Sequence, residues 1–260
     1  MEKIVDEKRM SQMYSLNNGN KTEKKLRIPK SKNIVILTGA GVSTNSGISD
    51  FRSSSGVYSR WDSNKVFDVE YFKQNPRYFF DFAREELYSF SDKQPNITHE
   101  IITKWEKEGF LKACITQNID MLHQRAGTKN VLEIHGSIEQ SHCLDCHRGY
   151  DIDQMREQLF FQDVPLCECG GIIKPDIVFF GEMLPQREIT ESFEQAAQCD
   201  VFIAIGTSLV VYPAASLPLA AKDNGAKLVI INREPTPLDS LADEVISGEL
   251  KEIMRALDNQ

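Results

Sequence analysis

The feature that most constrains the fold is a repeated pattern of short apolar runs, each followed by a polar or glycine-bearing tip. Continuous runs of valine, isoleucine and leucine indicate parallel strands that are covered on both faces. With helices between the strands, the pattern predicts an α/β fold, a doubly wound Rossmann-like parallel sheet whose polar tips gather at the ligand-binding carboxyl edge. The runs are Asn33–Leu37, Lys112–Thr116, Val131–Ile134, Val201–Ile205 and Lys227–Ile231.

Two regions interrupt this pattern and are expected to form a smaller lobe. One is rich in aromatic residues and predicts helices over 68–90 and Thr98–Lys107, and the other carries closely spaced cysteines. Residues 1–32 are polar and are expected to form an N-terminal extension. The expected division is a large lobe over about 33–51, 111–138 and 178–260, a helical insertion over about 52–110 and a zinc module over about 139–177.

Charge is unevenly distributed along the chain, whose formal net charge is −8. Residues 1–33 hold nine Lys/Arg against four Asp/Glu, whereas residues 34–260 hold 21 against 34. An acidic body argues against a specific nucleic-acid partner and suits a cationic peptide. The basic stretch Lys21–Lys32 is interpreted as a solvated terminus, with a nucleic-acid tail as the alternative.

Composition excludes several classes of protein. Hydrophobic residues make up 41% of the chain and charged residues 26%, which argues against a disordered or fibrous chain. No run reaches the roughly 18 apolar residues of a membrane span, and the N-terminal residues lack the apolar segment of a secretory signal. We therefore expect a cytoplasmic protein that has no membrane partner. A monomer is expected as well, although nothing in the sequence determines the oligomeric state.

Four cysteines form two close pairs with 20 residues between them. In a chain without a signal peptide such pairs suggest a metal site rather than disulfides, and four thiolates suit one structural zinc ion. The second pair has only one intervening residue, so His142 or His147 is an alternative ligand to Cys167. Cys114 and Cys199 are expected to be buried as small apolar residues. The candidate zinc ligands are Cys143, Cys146, Cys167 and Cys169.

The first strand runs into a glycine-bearing loop, Gly39–Thr44. Two glycines let the backbone approach a pyrophosphate, and amides at a helix start favour its negative charge. A Gly-x-Gly sequence also occurs in ordinary tight turns, and the third glycine of the usual dinucleotide fingerprint is missing here. Asp50, Phe51 and Arg52 follow in one loop, where a salt bridge would account for the two charged residues but not for the whole run.

Taken together, these motifs resemble the sirtuins, the NAD-dependent protein lysine deacylases. The resemblance extends from about Asn33 to Leu250 and implies NAD as co-substrate, one structural zinc ion, and acyl-lysine proteins or peptides as substrates. The matching segments are Gly39–Arg52, Thr116–Asp120, Leu122–Gly127, His135-Gly136, Lys174–Glu182, Gly206–Leu209 and Ile231-Asn232.

The resemblance also implies roles for individual residues. His135 would be the base that activates a ribose hydroxyl after nicotinamide has left and the acyl oxygen has taken its place. Asn118 would order the ribose or a water, so these two are the candidate catalytic residues, whereas His99 and His142 are expected to be structural. Asp120 would bind the nicotinamide carboxamide. The other candidate NAD-binding residues are Ala40, Thr44, Phe51, Arg52, Gln117, Ile119, Gly206, Thr207, Ser208, Asn232, Arg233, Glu249 and Leu250.

Two segments match those between which an acyl-lysine peptide adds a strand in the family. Without the resemblance, both would be interpreted as core strands. Because backbone pairing gives little side-chain selectivity, we expect broad tolerance of the sequence around the lysine. The candidate substrate-binding residues are Val178, Phe179, Phe180, Gly181 and Glu182 on one side and Leu209, Val210 and Val211 on the other.

The leading hypothesis is a deacetylase and short-chain deacylase that releases nicotinamide, O-acyl-ADP-ribose and free lysine. The alternatives are mono-ADP-ribosyl transfer or NAD hydrolysis, which would not need His135, and a non-enzymatic NAD-sensing scaffold. Sirtuins that favour succinyl groups carry a tyrosine and, three residues on, an arginine. Ala83 and Glu86 occupy the matching positions here, and Arg84 is expected to face away. These residues predict a preference for acetyl, propionyl or butyryl groups over succinyl.

Overall fold

The computed structural model of the protein describes residues 33–258, so the expectations for residues 1–32 and the basic stretch Lys21–Lys32 lie outside the described residues. The strands are β1 (Ile34–Thr38), β2 (Leu111–Thr116), β3 (Val131–Glu133), β4 (Gly136–Cys143), β5 (Gly149–Asp151), β6 (Ile173–Ile177), β7 (Val201–Ile205), β8 (Lys227–Ile231) and β9 (Glu244–Ile246). The α-helices are α1 (Val69–Gln74), α2 (Pro76–Phe82), α3 (Ile97–Lys107), α4 (Leu122–Ala126), α5 (Ile152–Phe161), α6 (Gln186–Gln198), α7 (Leu217–Asp223) and α8 (Leu250–Asp258).

The main sheet has six parallel strands in the order β3-β2-β1-β7-β8-β9, which confirms the predicted doubly wound α/β fold. All five predicted strands are present, and their ends agree to within a residue. β9 was not predicted, because it is short and lies at the edge of the sheet. The strand order reverses between β1 and β7, and the carboxyl edge at such a point is where open α/β sheets bind ligands.

Both faces of this sheet are buried, as the continuous apolar runs predict. Val35 and Leu37 pack into one hydrophobic cluster, and Ile34 and Ile36 pack into another on the opposite face. Successive side chains of a strand point to opposite faces, so a run without polar residues needs cover on both. This double burial fixes the strands rigidly and holds the loops at their carboxyl ends in place.

A second sheet, antiparallel and in the order β5-β4-β6, carries the cysteines. It shares a third hydrophobic cluster with the aromatic region, whose rings Phe72, Phe79, Phe82 and Phe179 meet in edge-to-face and tilted contacts. We propose that this sheet and the region 52–110 form the smaller lobe, although β4 begins at Gly136, before the expected start of the module. Cys114 and Cys199 are buried, as predicted.

The prediction that residues 68–90 are helical is largely confirmed, but the chain breaks at Asn75-Pro76, which divides the segment into α1 and α2. Asn75 has φ −144° and ψ 73°, outside the helical region, as sterics before a proline require. Beyond α2, Ala83–Leu87 forms a π-helical turn rather than a further α-helical turn. Over residues 33–258, no helix combines the length and apolar character needed to cross a bilayer.

Candidate active site

Two glycine-bearing loops meet at the carboxyl edge of the main sheet. The Gly41 N–H donates to the Gly206 carbonyl over 2.9 Å, and the helix that starts there is a 3₁₀ helix, Ala40–Ser46. A Cβ on Gly39 would lie 2.8 Å from the Gly206 oxygen, and one on Gly41 would lie 2.8 Å from the Gly206 Cα. Only glycine allows this approach, and the backbone of both loops lines the cavity at this point.

The loop that follows holds an aromatic ring and a guanidinium beside the cavity. The Asp50 carboxylate accepts the backbone N–H groups of Arg52 (3.0 Å) and Ser53 (2.7 Å), so it shapes the turn. The Arg52 guanidinium lies 5.7 Å from the centre of the Tyr58 ring, and the Phe51 ring lies 5.5 Å from the same ring. Asp50 thus serves the backbone, and Arg52 is left to line the cavity as a cationic group.

The loop after β2 places two polar side chains against the glycine-bearing loop. Asn118 donates from Nδ2 to the Gly39 carbonyl (3.1 Å) and to Ser43 Oγ (3.2 Å), and its backbone N–H donates to Thr116 Oγ1. Ser43 Oγ in turn donates to Asp120 Oδ2 over 2.6 Å. Burial raises the pKa of the Asp120 carboxyl, and the hydrogen bond from Ser43 opposes part of that rise. Ser43 therefore fixes both side chains.

His135 follows β3 and is held by the same loop. Its Nδ1 lies 3.1 Å from the Gln117 backbone carbonyl, which can only accept, so Nδ1 carries the proton and Nε2 keeps a lone pair. Burial lowers the pKa of His135, and the contact with Gln117 partly opposes that effect. The ring is consequently neutral near pH 7, with one nitrogen able to accept a proton.

These groups surround one cavity of about 510 Å³. Of the sequence-predicted site residues, those that line it are Ala40, Thr44, Phe51, Arg52, Gln117, Asn118, Ile119, Asp120, His135, Val178, Phe179, Phe180, Gly181, Glu182, Gly206, Thr207, Ser208, Val211, Asn232, Arg233, Glu249 and Leu250. Leu209 and Val210 lie outside the lining: Leu209 is buried in the core and Val210 is half exposed.

Neither candidate substrate segment is a core strand, so that interpretation is wrong. Gly181 has φ 93° and Leu209 has φ 53°, which lie outside the backbone geometry of a regular extended strand. In the first segment, Val178 N–H donates to the His135 carbonyl, and Phe180 forms an isolated parallel bridge with Asp68. The segment therefore runs beside His135 with one side of its backbone paired.

The apolar end of the cavity corrects one residue of the acyl-pocket prediction. Ala83 is fully buried in the aromatic cluster and does not line the cavity, whereas Phe82 and Glu86 do. The Glu86 carboxylate lies 2.6 Å from an Arg60 guanidinium nitrogen. Arg84 faces away, as expected, and donates to the Leu159 and Gln162 carbonyls.

Sequence reasoning missed several polar groups behind the site. Thr38 Oγ1 donates to Thr116 Oγ1 (2.9 Å) and lies 3.0 Å from His123 Nε2. His99 accepts the backbone N–H of Asn96 at the start of α3, so its expected structural role is as a helix cap. Thr38 is far in the sequence from Thr116 and His123, and the only available signal for these contacts was their position in or next to matched motifs.

The four cysteines of the small sheet form a compact cluster. All four sulfur atoms lie within 4.8 Å of one another, and Cys143–Cys169 and Cys146–Cys167 are each 3.5 Å apart. Thiolates around one zinc ion, at about 2.3 Å from the metal, lie about 3.8 Å apart, so the cluster fits zinc. A Gly170-Gly171 turn, in which the Gly170 N–H donates to the Cys167 carbonyl, accommodates the short spacing. His142 instead contacts the Asp176 carboxylate at 2.8 Å.

Known proteins share both the sequence and the fold. The Sir2 family profile matches residues 39–213. "NAD-dependent protein deacylase 2" of Archaeoglobus fulgidus is 47% identical over 232 residues, covering 87% of this chain and 90% of the relative. A solved structure described as Sir2 with a deacetylated p53 peptide and 3′-O-acetyl ADP-ribose superposes with a TM-score of 0.85 at 43% identity, covering 87% of this chain and 92% of the other.

A second solved structure, described as Sir2Tm bound to a propionylated peptide, superposes with a TM-score of 0.81 at 40% identity. It covers 95% of this chain and 96% of the other. Similarity of this extent covers the main sheet, the cavity and the cysteine cluster together. The chain is therefore a member of the Sir2 family, the sirtuins.

Proposed function

We propose that this protein is an NAD-dependent protein lysine deacetylase and short-chain deacylase that produces nicotinamide, O-acyl-ADP-ribose and free lysine. The observation that carries the proposal is His135, a buried imidazole that the Gln117 carbonyl holds in the tautomer with a free Nε2 lone pair. It lines the same cavity as Asn118 and Asp120. A nucleotide-binding protein without this reaction has no need for a base placed there.

The cavity fits NAD by the chemistry of its lining. The Arg52 guanidinium suits a diphosphate, because a cation attracts it, and Gly39, Gly41 and Gly206 leave that part of the cavity wall without side chains. Asp120 offers a buried carboxylate to a carboxamide N–H. When bound, NAD supplies a ribose carbon from which nicotinamide departs.

The residues of the chain orient the reactants and take up one proton. His135 would accept the proton of a ribose hydroxyl at Nε2 while Nδ1 remains hydrogen-bonded to the Gln117 carbonyl, so the ring need not rotate during the transfer. Asn118 is held by Gly39 and Ser43, so its side chain is fixed before any ligand arrives. Phe51 and the other apolar side chains that line the cavity keep water from the reacting ribose carbon.

The acyl group is proposed to be acetyl, propionyl or butyryl. The cavity end that contains Phe51, Phe67 and Phe82 is apolar and suits a short aliphatic chain. Glu86 places a carboxylate there whose partner is Arg60, so the arginine is already neutralised. A succinyl carboxylate would lie near the Glu86 carboxylate and would have to compete with it for Arg60.

The substrates are proposed to be acyl-lysine peptides within proteins, bound along the segment Val178–Glu182. We further propose a cytoplasmic monomer with no specific nucleic-acid partner. The excess of acidic residues in 34–260 supports the last point, and the cysteines grouped for a metal, rather than paired in disulfides, support the compartment.

Mass spectrometry of an acetyl-lysine peptide incubated with the protein, with and without NAD, tests the proposal. We expect the peptide to lose one acetyl group only with NAD, and nicotinamide and O-acetyl-ADP-ribose to appear in equal amounts. A peptide that gains ADP-ribose, or nicotinamide released without deacetylation, would indicate transferase or hydrolase activity. NAD binding without any product would indicate a sensing scaffold.

A further inference from the structure

One lysine of the small sheet is buried in a way that surface lysines are not. Lys174 lies on β6, is 8% exposed, and does not line the cavity. A buried ammonium is costly unless every donor finds an acceptor. Burial lowers the pKa of Lys174, and the nearby Glu182 carboxylate opposes that effect. The contacts of the Lys174 ammonium show which part of the chain it holds in place.

All polar partners of this ammonium lie in the few residues that follow it. Lys174 Nζ donates to the Ile177 carbonyl (2.8 Å), the Pro175 carbonyl (3.3 Å) and Glu182 Oε2 (3.0 Å), which matches the three protons of an ammonium. It also lies 4.1 Å from the centre of the Phe179 ring, a cation–π contact. The chain thus folds around a single charge.

Glu182 closes this arrangement from the other end of the segment. The same Oε2 atom that faces Lys174 accepts the Phe179 backbone N–H over 2.7 Å, and Glu182 N–H donates to the Phe179 carbonyl over 3.0 Å. Gly181, with φ 93°, makes the tight turn between them. The turn shape therefore depends on a carboxylate that in turn depends on the ammonium.

The outer face of the same segment is what a peptide would meet. Phe180 is 50% exposed and Gly181 is exposed, and both line the cavity. The backbone is fixed at Val178 by the His135 carbonyl and at Phe180 by the Phe67 carbonyl. Over the rest of the segment, up to Glu182, the Lys174 ammonium is the charged group that holds the backbone in shape.

We propose that Lys174 is a positioning residue that holds Val178–Glu182 in the shape that binds the acyl-lysine peptide. The proposal rests on the proposed deacylase function and adds a residue that acts on peptide binding from behind the segment. Lys174 touches no reactant. Its contribution is to fix the backbone before the peptide arrives, so its removal weakens binding of the peptide and leaves binding of NAD intact.

The test compares Lys174→Met, which keeps the apolar stem, with Lys174→Arg, which keeps the charge. Steady-state kinetics on an acetyl-lysine peptide are expected to show a peptide KM raised on the order of 10- to 100-fold in Lys174→Met, with the KM for NAD unchanged. Lys174→Arg is expected to recover most of the loss. Lys222→Met, which removes a partly exposed ion pair between α7 and Asp243, is the control and should match the wild type.

A double variant separates an effect of Lys174 on the shape of Val178–Glu182 from a general loss of protein stability. Lys174→Met/Glu182→Gln removes both charges, so no buried carboxylate is left unpaired. The double variant therefore avoids the loss of stability that an unpaired carboxylate causes in Lys174→Met. The proposal expects this variant to keep the raised peptide KM, because the charge that shapes the segment is still missing. A return to the wild-type KM, or a peptide KM unchanged in Lys174→Met, would overturn the proposal. Failure of the wild type itself to deacetylate the peptide would instead overturn the proposed function.

Discussion

Replacing His99 by glutamine tests how a neutral, buried imidazole behind the site shapes the response of the protein to acid. His99 is buried and caps α3 through Nδ1, which accepts the Asn96 N–H over 3.3 Å. Glutamine at this helix position can accept the same N–H, so the variant keeps the cap and loses only the titrating group. Burial lowers the pKa of His99 from 6.5 to about 4.

The sign follows from proton uptake. Between pH 7 and pH 5 the unfolded chain takes up a proton at His99 and the folded chain does not, so stability is lost as pH falls. Integrated over this interval with the two pKa values, the loss is about 2 kcal/mol. Glu133 acts in the opposite sense, because burial raises its pKa to about 7 and the folded state takes up its proton first. Only a comparison with the variant therefore isolates His99.

Urea unfolding followed by circular dichroism at pH 7 and pH 5 measures the effect. We expect the wild type to lose about 2 kcal/mol more of its free energy of unfolding than His99→Gln does over this interval. Equal losses in the two proteins would show that His99 is protonated in the folded state as readily as in the unfolded one. That result would refute the argument from burial.

Three further outcomes are expected. Chelation of the metal, or Cys143→Ser, should lower the melting temperature and with it the activity, because structural zinc contributes folding energy; a metal-free protein with an unchanged melting curve and full activity would contradict the zinc assignment. Gly41→Ala should raise the KM for NAD and cost about 1–3 kcal/mol of stability, since its Cβ would lie 2.8 Å from Gly206, whereas Gly149→Ala, whose Cβ has its nearest contact at 3.4 Å, should change neither. On one peptide, kcat/KM for acetyl-lysine and butyryl-lysine should exceed that for succinyl-lysine, and a succinyl value equal to that for acetyl would contradict the pocket assignment.

The main sheet was predictable because its signal is local. A run such as Val201–Ile205 must be covered on both faces, and only a few layer architectures provide that cover. The order of the strands then brings Gly39, His135 and Gly206 to one edge without any knowledge of their contacts. This is why the sequence-predicted NAD residues line one cavity.

The errors arose where a few backbone angles outweigh the residue pattern. Asn75 leaves the helical region before a proline, which divides a segment that otherwise has helical spacing. Ala83 begins a π-helical turn, so the face of the helix shifts and an alignment by residue spacing places Ala83, rather than Phe82, beside Glu86 in the pocket. Leu209 adopts a positive φ that a leucine rarely shows.

Other features depend on contacts between residues far apart in the chain. Ser43 and Asp120 are hydrogen-bonded across 77 positions, and no spacing rule relates them. Lys174 and Glu182 are close in sequence, yet their pairing requires the turn at Gly181, and the sequence gives no sign that this lysine is buried. Pairs of this kind can be identified only from a structure that includes the side chains.

The most direct test of the central claim is the activity of His135→Ala against its ability to bind NAD. The variant removes the base and leaves the contacts of Asn118, Asp120 and Arg52 in place. Deacetylation of an acetyl-lysine peptide is expected to fall about 10²- to 10⁴-fold, with the Kd for NAD measured by calorimetry close to that of the wild type. If His135→Ala keeps more than half of the wild-type peptide turnover, His135 is not the base and the proposed mechanism is contradicted.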